Sequence, residues 1–303
     1  MSLEFDLKKS REHEMRVYLG SMKAMYENAL LQNREIYDIA SKLTNDFTRI
    51  TPEAILEDSR IIKILRYAIA PSISQMKFGQ LFSLTSSDKY EDNRLMPTTA
   101  KYTKLTEIAS KIAEFSTQNL DRARFIWLAE SISDSEYTLA TEYAKKWACS
   151  ILADQNAQTR YRNWRKDQQE YAIASKVMSL GYTKSDFIGI VSKKTDINLG
   201  EYTQEIKVQG RTRQKADLVV RSKKSKKIVL IEAKAVGVEI DSTKRIKEYC
   251  DKANDWQSSR SLDNPVVVAI IAGFFNPNGI KNLQASGIQV IWEHRLADLA
   301  GIL

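Results

Sequence analysis

Three residues close together in sequence carry the chemistry. Asp217 sits in the apolar run KADLVV, and Glu232 and Lys234 flank Ala233 at the end of KIVLIEAKA. Side chains alternate along a strand with a period of two. Glu232 and Lys234 therefore point to one face, and Ile231, Ala233 and Ala235 to the other. The polar segment RSKKSKK between the two runs suits a turn. If the strands pair as a hairpin, Asp217 lies beside Glu232, and two carboxylates and an ammonium meet at the edge of an apolar sheet. Charge buried there is costly unless it is paired or binds a metal. Two hard oxygen ligands suit Mg2+, which keeps several waters and takes further ligands from a phosphate; Mn2+ accepts the same donors. Such an ion neutralises a scissile phosphate and acidifies a water, while Lys234 stabilises the developing charge. The same residues also permit a structural Glu–Lys pair on a sheet rim, worth little to stability. Two other acid-x-Lys triplets lack this context. Asp6-Leu7-Lys8 has no strand around it, and Glu205-Ile206-Lys207 lies in a polar alternating strand with a more exposed face.

The elements that must hold these residues are legible in the hydrophobic pattern. KADLVV, KIVLIEAKA and VVVAIIAGFF are continuously apolar, like strands buried in a sheet. GEYTQEIKV alternates, like a half-exposed strand. A helix is predicted over about 242–258, NPNG makes a turn, and a short helix follows over about 279–286. IQVIWE then reads as a strand and HRLADLAGIL as helix. Strands interleaved with helices argue for an α/β sheet. Ahead of them a basic helix begins near Gln158 and ends at Gly181. The first half reads as helix throughout. Thr51-Pro52 supplies an N-cap and a first-turn proline, the stripe Ile55, Leu56, Ile62, Leu65 and Ile69 follows, and Pro71 stops it. Further helices are predicted over about 103–118, 120–132 and 135–155, with a loop over 85–100. The expected organisation is a helical domain over 1–155 and an α/β domain over 156–303.

The chain has 303 residues with a net charge of +8, 43% hydrophobic and 28% charged, which is globular composition. Its longest apolar run, Val266 to Phe275, is far short of a membrane span. The start MSLEFDLKKSREHE has no apolar signal core, so a cytoplasmic protein is expected. Cys149 and Cys250, in helical contexts, read as buried thiols rather than a disulfide framework. His13 and His294 are too far apart to suggest a histidine mechanism, and no glycine-rich loop offers a nucleotide cofactor a phosphate cradle. Residues 1–150 hold 21 Lys+Arg and 21 Asp+Glu, and the remainder 25 and 17. The whole excess therefore lies in the half that carries Asp217. Nine basic residues and one acid fall between Lys207 and Lys227, a local field that attracts a polyanion. Arg211, Arg213 and Lys215 immediately precede Asp217 and are candidate DNA contacts, whereas RSKKSKK at the far end of the hairpin reads as a solvated turn. Arg160, Arg162, Arg165 and Lys166, with Tyr161 and Trp164, either follow a phosphate backbone or form a linker helix that packs Trp164 inward.

The Asp217, Glu232 and Lys234 arrangement resembles the PD-(D/E)XK nuclease superfamily, although Ala216 stands where the name has Pro. The segments RYAIAPSISQMKFGQL, TRYRNWRKDQQEYAIASKVMSLGY, KADLVV, IEAKA and STKRIKEYCDKA, in this order, resemble type II restriction endonucleases of the XamI type from about residue 60 onward. The resemblance implies a restriction-endonuclease-like α/β/α core with a mixed central sheet, preceded by an all-α domain that contacts a second copy or embraces DNA. It assigns metal binding to Asp217 and Glu232 and assistance of the attacking water to Lys234. By the same resemblance Glu170 reaches the metal site from its helix, directly or through water; otherwise it is a solvated helix residue. Ser242, Lys244 and Arg245 become DNA contacts. The implied activity is Mg2+-dependent cleavage of double-stranded DNA at a short palindrome in a bacterial or archaeal cell. A homodimer is expected, because two strands need two active sites. A repair or junction-resolving nuclease and a non-catalytic DNA-binding protein are the alternatives.

Overall fold

The computed structural model describes residues 2–86 and 88–303. Packing divides the chain into two units, Met1–Met22 with Arg160–Leu303, and Lys23–Thr159. Both junctions fall inside long helices, α1 (Leu3–Leu43) and α7 (Asp134–Ser179). The sequence pattern puts a single break at 155. Instead α7 runs straight through that point, because no glycine or proline interrupts residues 134–179. A change in charge along a helix does not break its hydrogen bonds.

The unit Lys23–Thr159 holds α2 (Pro52–Glu57), α3 (Ile61–Ala68), α4 (Gln75–Leu81), α5 (Asp88–Glu91) and α6 (Ala100–Gln118). Thr51 caps α2 as its sequence predicts, accepting the Ala54 N–H at 3.2 Å. The helix read through to Ile69 is broken at Asp58, which turns extended and accepts the Arg60 backbone N–H at 3.0 Å and its guanidinium at 2.7 Å. Residues 120–132 keep only a 3-10 turn, Ile126–Leu128. Aromatic packing wins there: Phe125 lies on Phe47 and Trp127, and the Trp127 indole donates to the Asp46 carbonyl at 2.9 Å. Ile55, Ile62, Leu65, Phe78, Leu105, Ile112 and Leu152 fill the core of this unit.

The other unit is built on a seven-stranded sheet: β1 (Thr183–Lys184), β2 (Ile190–Val191), β3 (Glu201–Gln209), β4 (Arg213–Arg221), β5 (Ile228–Val236), β6 (Val266–Gly273) and β7 (Gln289–Trp292). The order is β1-β3-β4-β5-β6-β7, with β2 also on β3. Strands β3, β4 and β5 are antiparallel neighbours, while β5, β6 and β7 run parallel through α8 (Glu239–Gln257) and α9 (Pro277–Ala285). The sheet is therefore mixed. One face packs on Ile246, Tyr249, Ala253 and Trp256 of α8 and on Ile280 and Leu283 of α9. The other packs on Ile173, Ala174 and Val177 of α7 and on Leu299 and Leu303. Helices thus cover both faces, as continuously apolar strands require. The start of α1 belongs to this unit: Ser10 accepts the Gly273 N–H at 2.8 Å, and Asp6 pairs with Arg295 at 3.0 Å. Among the described residues no helix is long and apolar enough to cross a membrane.

Candidate active site

The hairpin brings Asp217 and Glu232 together by parting the strands that carry them. The β4–β5 ladder runs from Arg221 opposite Ile228 to Leu218 opposite Ile231 and then stops. Beyond it the Asp217 carboxylate takes the place of a backbone acceptor, receiving the Ala233 N–H at 2.7 Å. A carboxylate accepting a backbone N–H makes a charge-assisted bond, and this one fixes Asp217 against the strand that bears Glu232 and Lys234. Lys234 Nζ lies 2.5 Å from Glu232 Oε1 and 3.8 Å from Asp217 Oδ2. Both carboxylates are buried, with side chains 7% and 2% exposed, whereas Lys234 is 22% exposed. Glu232 Oε2 is buried and makes no hydrogen bond.

Helix α8 holds Glu232 from behind. Lys252 donates to Glu232 Oε1 at 2.7 Å and to the Lys215 carbonyl at 2.8 Å. The Tyr249 hydroxyl lies 3.3 Å from the Glu232 carbonyl and 3.1 Å from that of Ile270. Burial and the nearby Glu232 push the Tyr249 phenol well above its ordinary value, so it stays neutral. Tyr249 falls on the apolar stripe of α8 and is legible as a core residue. That Lys252, one turn further on, reaches a carboxylate on β5 is set by how the helix lies on the sheet.

Glu170 and Glu205 approach Asp217 from the other side. Carboxylate oxygens of Glu170, Glu205 and Asp217 all lie within 4.8 Å of one another. Lys166 stands 3.2 Å from both Glu170 and Glu205, and Lys215 pairs with Glu205. Burial, and then the Asp217 charge, raise the Glu170 carboxyl above its ordinary range despite Lys166.

Glu205 is the residue that strand periodicity misplaces. Its φ is +54°, a left-handed value unusual for a residue with a Cβ. The pleat reverses there. Tyr202 faces the α7 layer, yet Ile206 and Val208, also even-numbered, face the α8 layer. Opposite, Leu218 and Val220 face α7 while Ala216 faces α8. Glu205 and Asp217 sit at this paired reversal, and an uninterrupted alternation cannot locate it.

The expected DNA contacts divide. Arg160 and Arg162 are exposed on α7, and Arg211 in the β3–β4 turn and Arg213 and Lys215 at the start of β4 are exposed ahead of Asp217. Lys244 is exposed on α8, and Arg245 pairs with Glu248 at 2.8 Å. Two assignments do not survive. Arg165 is only 4% exposed, and its guanidinium is buried between Glu14 at 2.9 Å and Glu293 at 2.7 Å, out of reach of a phosphate. Ser242 is fully buried, and its hydroxyl accepts the Asn276 N–H at 3.3 Å. In RSKKSKK, Lys223 and Lys224 donate to the carbonyls of Gly181 and Gly301, at 2.5 and 3.2 Å, as a structured turn. The two histidines lie apart from the site: His294 contacts Asp6 at 3.2 Å, and His13 stands 3.9 Å from Glu293.

A mixed α/β protein with buried acids and a lysine at the parting of two antiparallel strands is thus on hand. The family model described as XamI restriction endonuclease matches residues 45–292, and the chain belongs to that family. It is 26% identical over 270 residues to the type II restriction enzyme SalI of Streptomyces albus G, covering 86% of this chain and 84% of that enzyme. Among solved structures, protein VC1899 from Vibrio cholerae aligns at 12% identity with a TM-score of 0.30, over 92% of this chain. This chain spans 55% of the length of that one.

Proposed function

We propose that this protein is a site-specific endonuclease that hydrolyses phosphodiester bonds of double-stranded DNA at a short palindrome, with Mg2+ as its cofactor and Mn2+ as a substitute. The observation that carries the reading is Glu232 Oε2, a carboxylate oxygen buried without a partner beside Asp217 and Lys234, in a chain of a restriction endonuclease family. Lys234 and Lys252 pair with the other oxygen, Oε1, but a buried acceptor left without a hydrogen bond still costs free energy. A hard divalent cation is the partner that carboxylate oxygens fit, so the donor set suits the ion.

Asp217 and Glu232 would hold the cation, Asp217 pinned by the Ala233 N–H and Glu232 by Lys234 and Lys252. The ion supplies Lewis acidity, neutralising phosphate charge and making water a better nucleophile. Lys234, partly exposed and donating between the two acids, orients the attacking water and stabilises charge on the phosphoryl oxygens. Glu170, with its carboxyl raised, holds a water or completes the ligand set from α7. Arg211 and Arg213 grip the backbone beside the scissile bond, Lys215 reaches it only by sharing its ammonium with Glu205, and Arg160, Arg162, Lys244 and Arg245 extend that grip. Two copies related by a two-fold axis would present two such sites to the two strands.

The experiment is a digest of plasmid and phage DNA with Mg2+, Mn2+ or EDTA, with run-off sequencing of the products and a parallel Lys234→Ala protein. Discrete fragments with a common end sequence, abolished by EDTA and by the substitution, are expected. Cutting of branched DNA regardless of sequence would instead indicate a junction-resolving nuclease. Salt-sensitive binding with no cleavage in either metal would indicate a DNA-binding protein.

A further inference from the structure

The acidic cluster already holds its own counter-charge. Lys234 and Lys252 both donate to the same oxygen, Glu232 Oε1, at 2.5 and 2.7 Å. Lys234 also stands 3.8 Å from Asp217. On the far side of Asp217, Lys166 and Lys215 pair with Glu170 and Glu205. The carboxylates of Glu170, Glu205, Asp217 and Glu232 are matched one for one by the ammoniums of Lys166, Lys215, Lys234 and Lys252. This set is electrically closed as it stands.

A divalent cation entering it adds two charges where water screens poorly. Lys234 is the lysine given a part in the proposed reaction. Lys252 sits behind the site: it reaches Glu232 from α8, its head is anchored on the Lys215 carbonyl, and its ammonium lies 5.8 Å from the centre of the Trp256 ring. An ammonium bound to a carboxylate oxygen does to that carboxylate what a cation does, and like charges sharing one site raise each other's energy.

We infer that Lys252 is a resident counter-ion of Glu232 that competes with the divalent cation, setting how much metal the site needs before it fills. The inference rests on the reading of Asp217 and Glu232 as cation ligands. It makes Lys252 a positioning residue with an electrostatic cost: it steadies Glu232 in the metal-free protein and opposes the metal.

The test uses the full chain without DNA. Mn2+ is titrated into the protein, and the free aquo ion is followed by its electron paramagnetic resonance. Lys252→Met and Lys252→Gln remove the ammonium, and Lys252→Arg keeps the charge. Met and Gln should each bind Mn2+ on the order of tenfold more tightly, the scale on which one neighbouring charge changes a carboxylate's affinity for a proton. Arg should stay within about twofold of the parent, as a charge-conserving change should. Melting gives a second readout. The metal-free Met and Gln proteins should melt lower than the parent and gain more from saturating Mn2+. A lysine whose main effect is to hold Glu232 in place would loosen metal binding on balance when removed. Unchanged or weaker Mn2+ binding in both neutral variants overturns the inference, as does tightening by Arg equal to that by Met. Asp217→Asn in the same titration isolates the premise. If that protein binds Mn2+ as the parent does, the cation-site reading itself has failed and Lys252 has nothing to oppose.

Discussion

Asp217→Asn separates the fold from the chemistry, because the two depend on different properties of the same side chain. The Ala233 N–H reaches Asp217 Oδ2 at 2.7 Å, and an amide oxygen can accept that bond in the same rotamer. What is lost is charge assistance. A hydrogen bond to a charged group is worth about 1.5–3 kcal/mol and a neutral one about 0.5–1.5, so the difference is about 1 kcal/mol. The attraction to Lys234 across 3.8 Å adds little, since that ammonium is partly exposed and screened. For a unit of this size, about 1 kcal/mol shifts the melting temperature by about 2–4 °C. The effect on cleavage has another origin. An amide is a poor ligand for a hard cation, and the ion's share of transition-state stabilisation is several kcal/mol; losing about 4 of them slows the reaction about 1000-fold. The assay pairs single-turnover nicking of supercoiled plasmid in Mg2+ with melting in EDTA, so that metal binding does not enter the stability. Cleavage within about tenfold of the parent would refute Asp217 as a ligand, on the same rate scale. A melting temperature lowered by more than about 8 °C, beyond what 1 kcal/mol explains, would show that the residue is needed for folding instead.

Glu205→Gly relieves a left-handed backbone that costs about 1–2 kcal/mol and removes two ion pairs of small value; thermal melts should show stability kept or raised while cleavage falls, and unchanged cleavage would remove Glu205 from the site. Arg165→Leu strands Glu14 and Glu293, both largely buried, so urea denaturation should show a loss of about 3–5 kcal/mol; a loss under about 1 kcal/mol would mean that the pair is solvated. Replacing Arg211 and Arg213 together by Ala should flatten the slope of log affinity against log salt by about 1.8 if each neutralises one phosphate, read by fluorescence anisotropy on duplex DNA in EDTA. Burial pushes the Cys149 thiol up to about 11, so a disulfide reagent at pH 8 should leave it unmodified in the native protein; immediate reaction of both Cys149 and Cys250 would contradict its burial.

Local pattern alone carried the strands, because KADLVV, KIVLIEAKA and VVVAIIAGFF are too apolar to lie anywhere but inside a sheet, and a period of two put Glu232 and Lys234 on one face; how Asp217 meets them was set by the parting of β4 from β5, where the Asp217 carboxylate takes the Ala233 N–H. The N-cap at Thr51 was equally local. The break at Asp58 and the collapse of 120–132 to a single turn were not, since each depends on partners distant in sequence or on a side chain turning back on its own backbone. The basic character of Arg165 was plain, but its use was decided by Glu14 from the first helix and Glu293 just past the last strand, 151 and 128 residues away. Glu205 and Lys252 show the same limit at the site itself. A strand's alternation is a local rule, and its reversal at Glu205 belongs to the paired strands, between Gln204 opposite Leu218 and Ile206 opposite Ala216. Lys252 meets Glu232 only because α8 crosses the sheet there. Sequence by itself determined which residues were able to do the chemistry, since composition and period are properties of the chain. Which charges face one another was decided by tertiary packing, because an ion pair is fixed by distance in space and the chain specifies that distance only once it has folded.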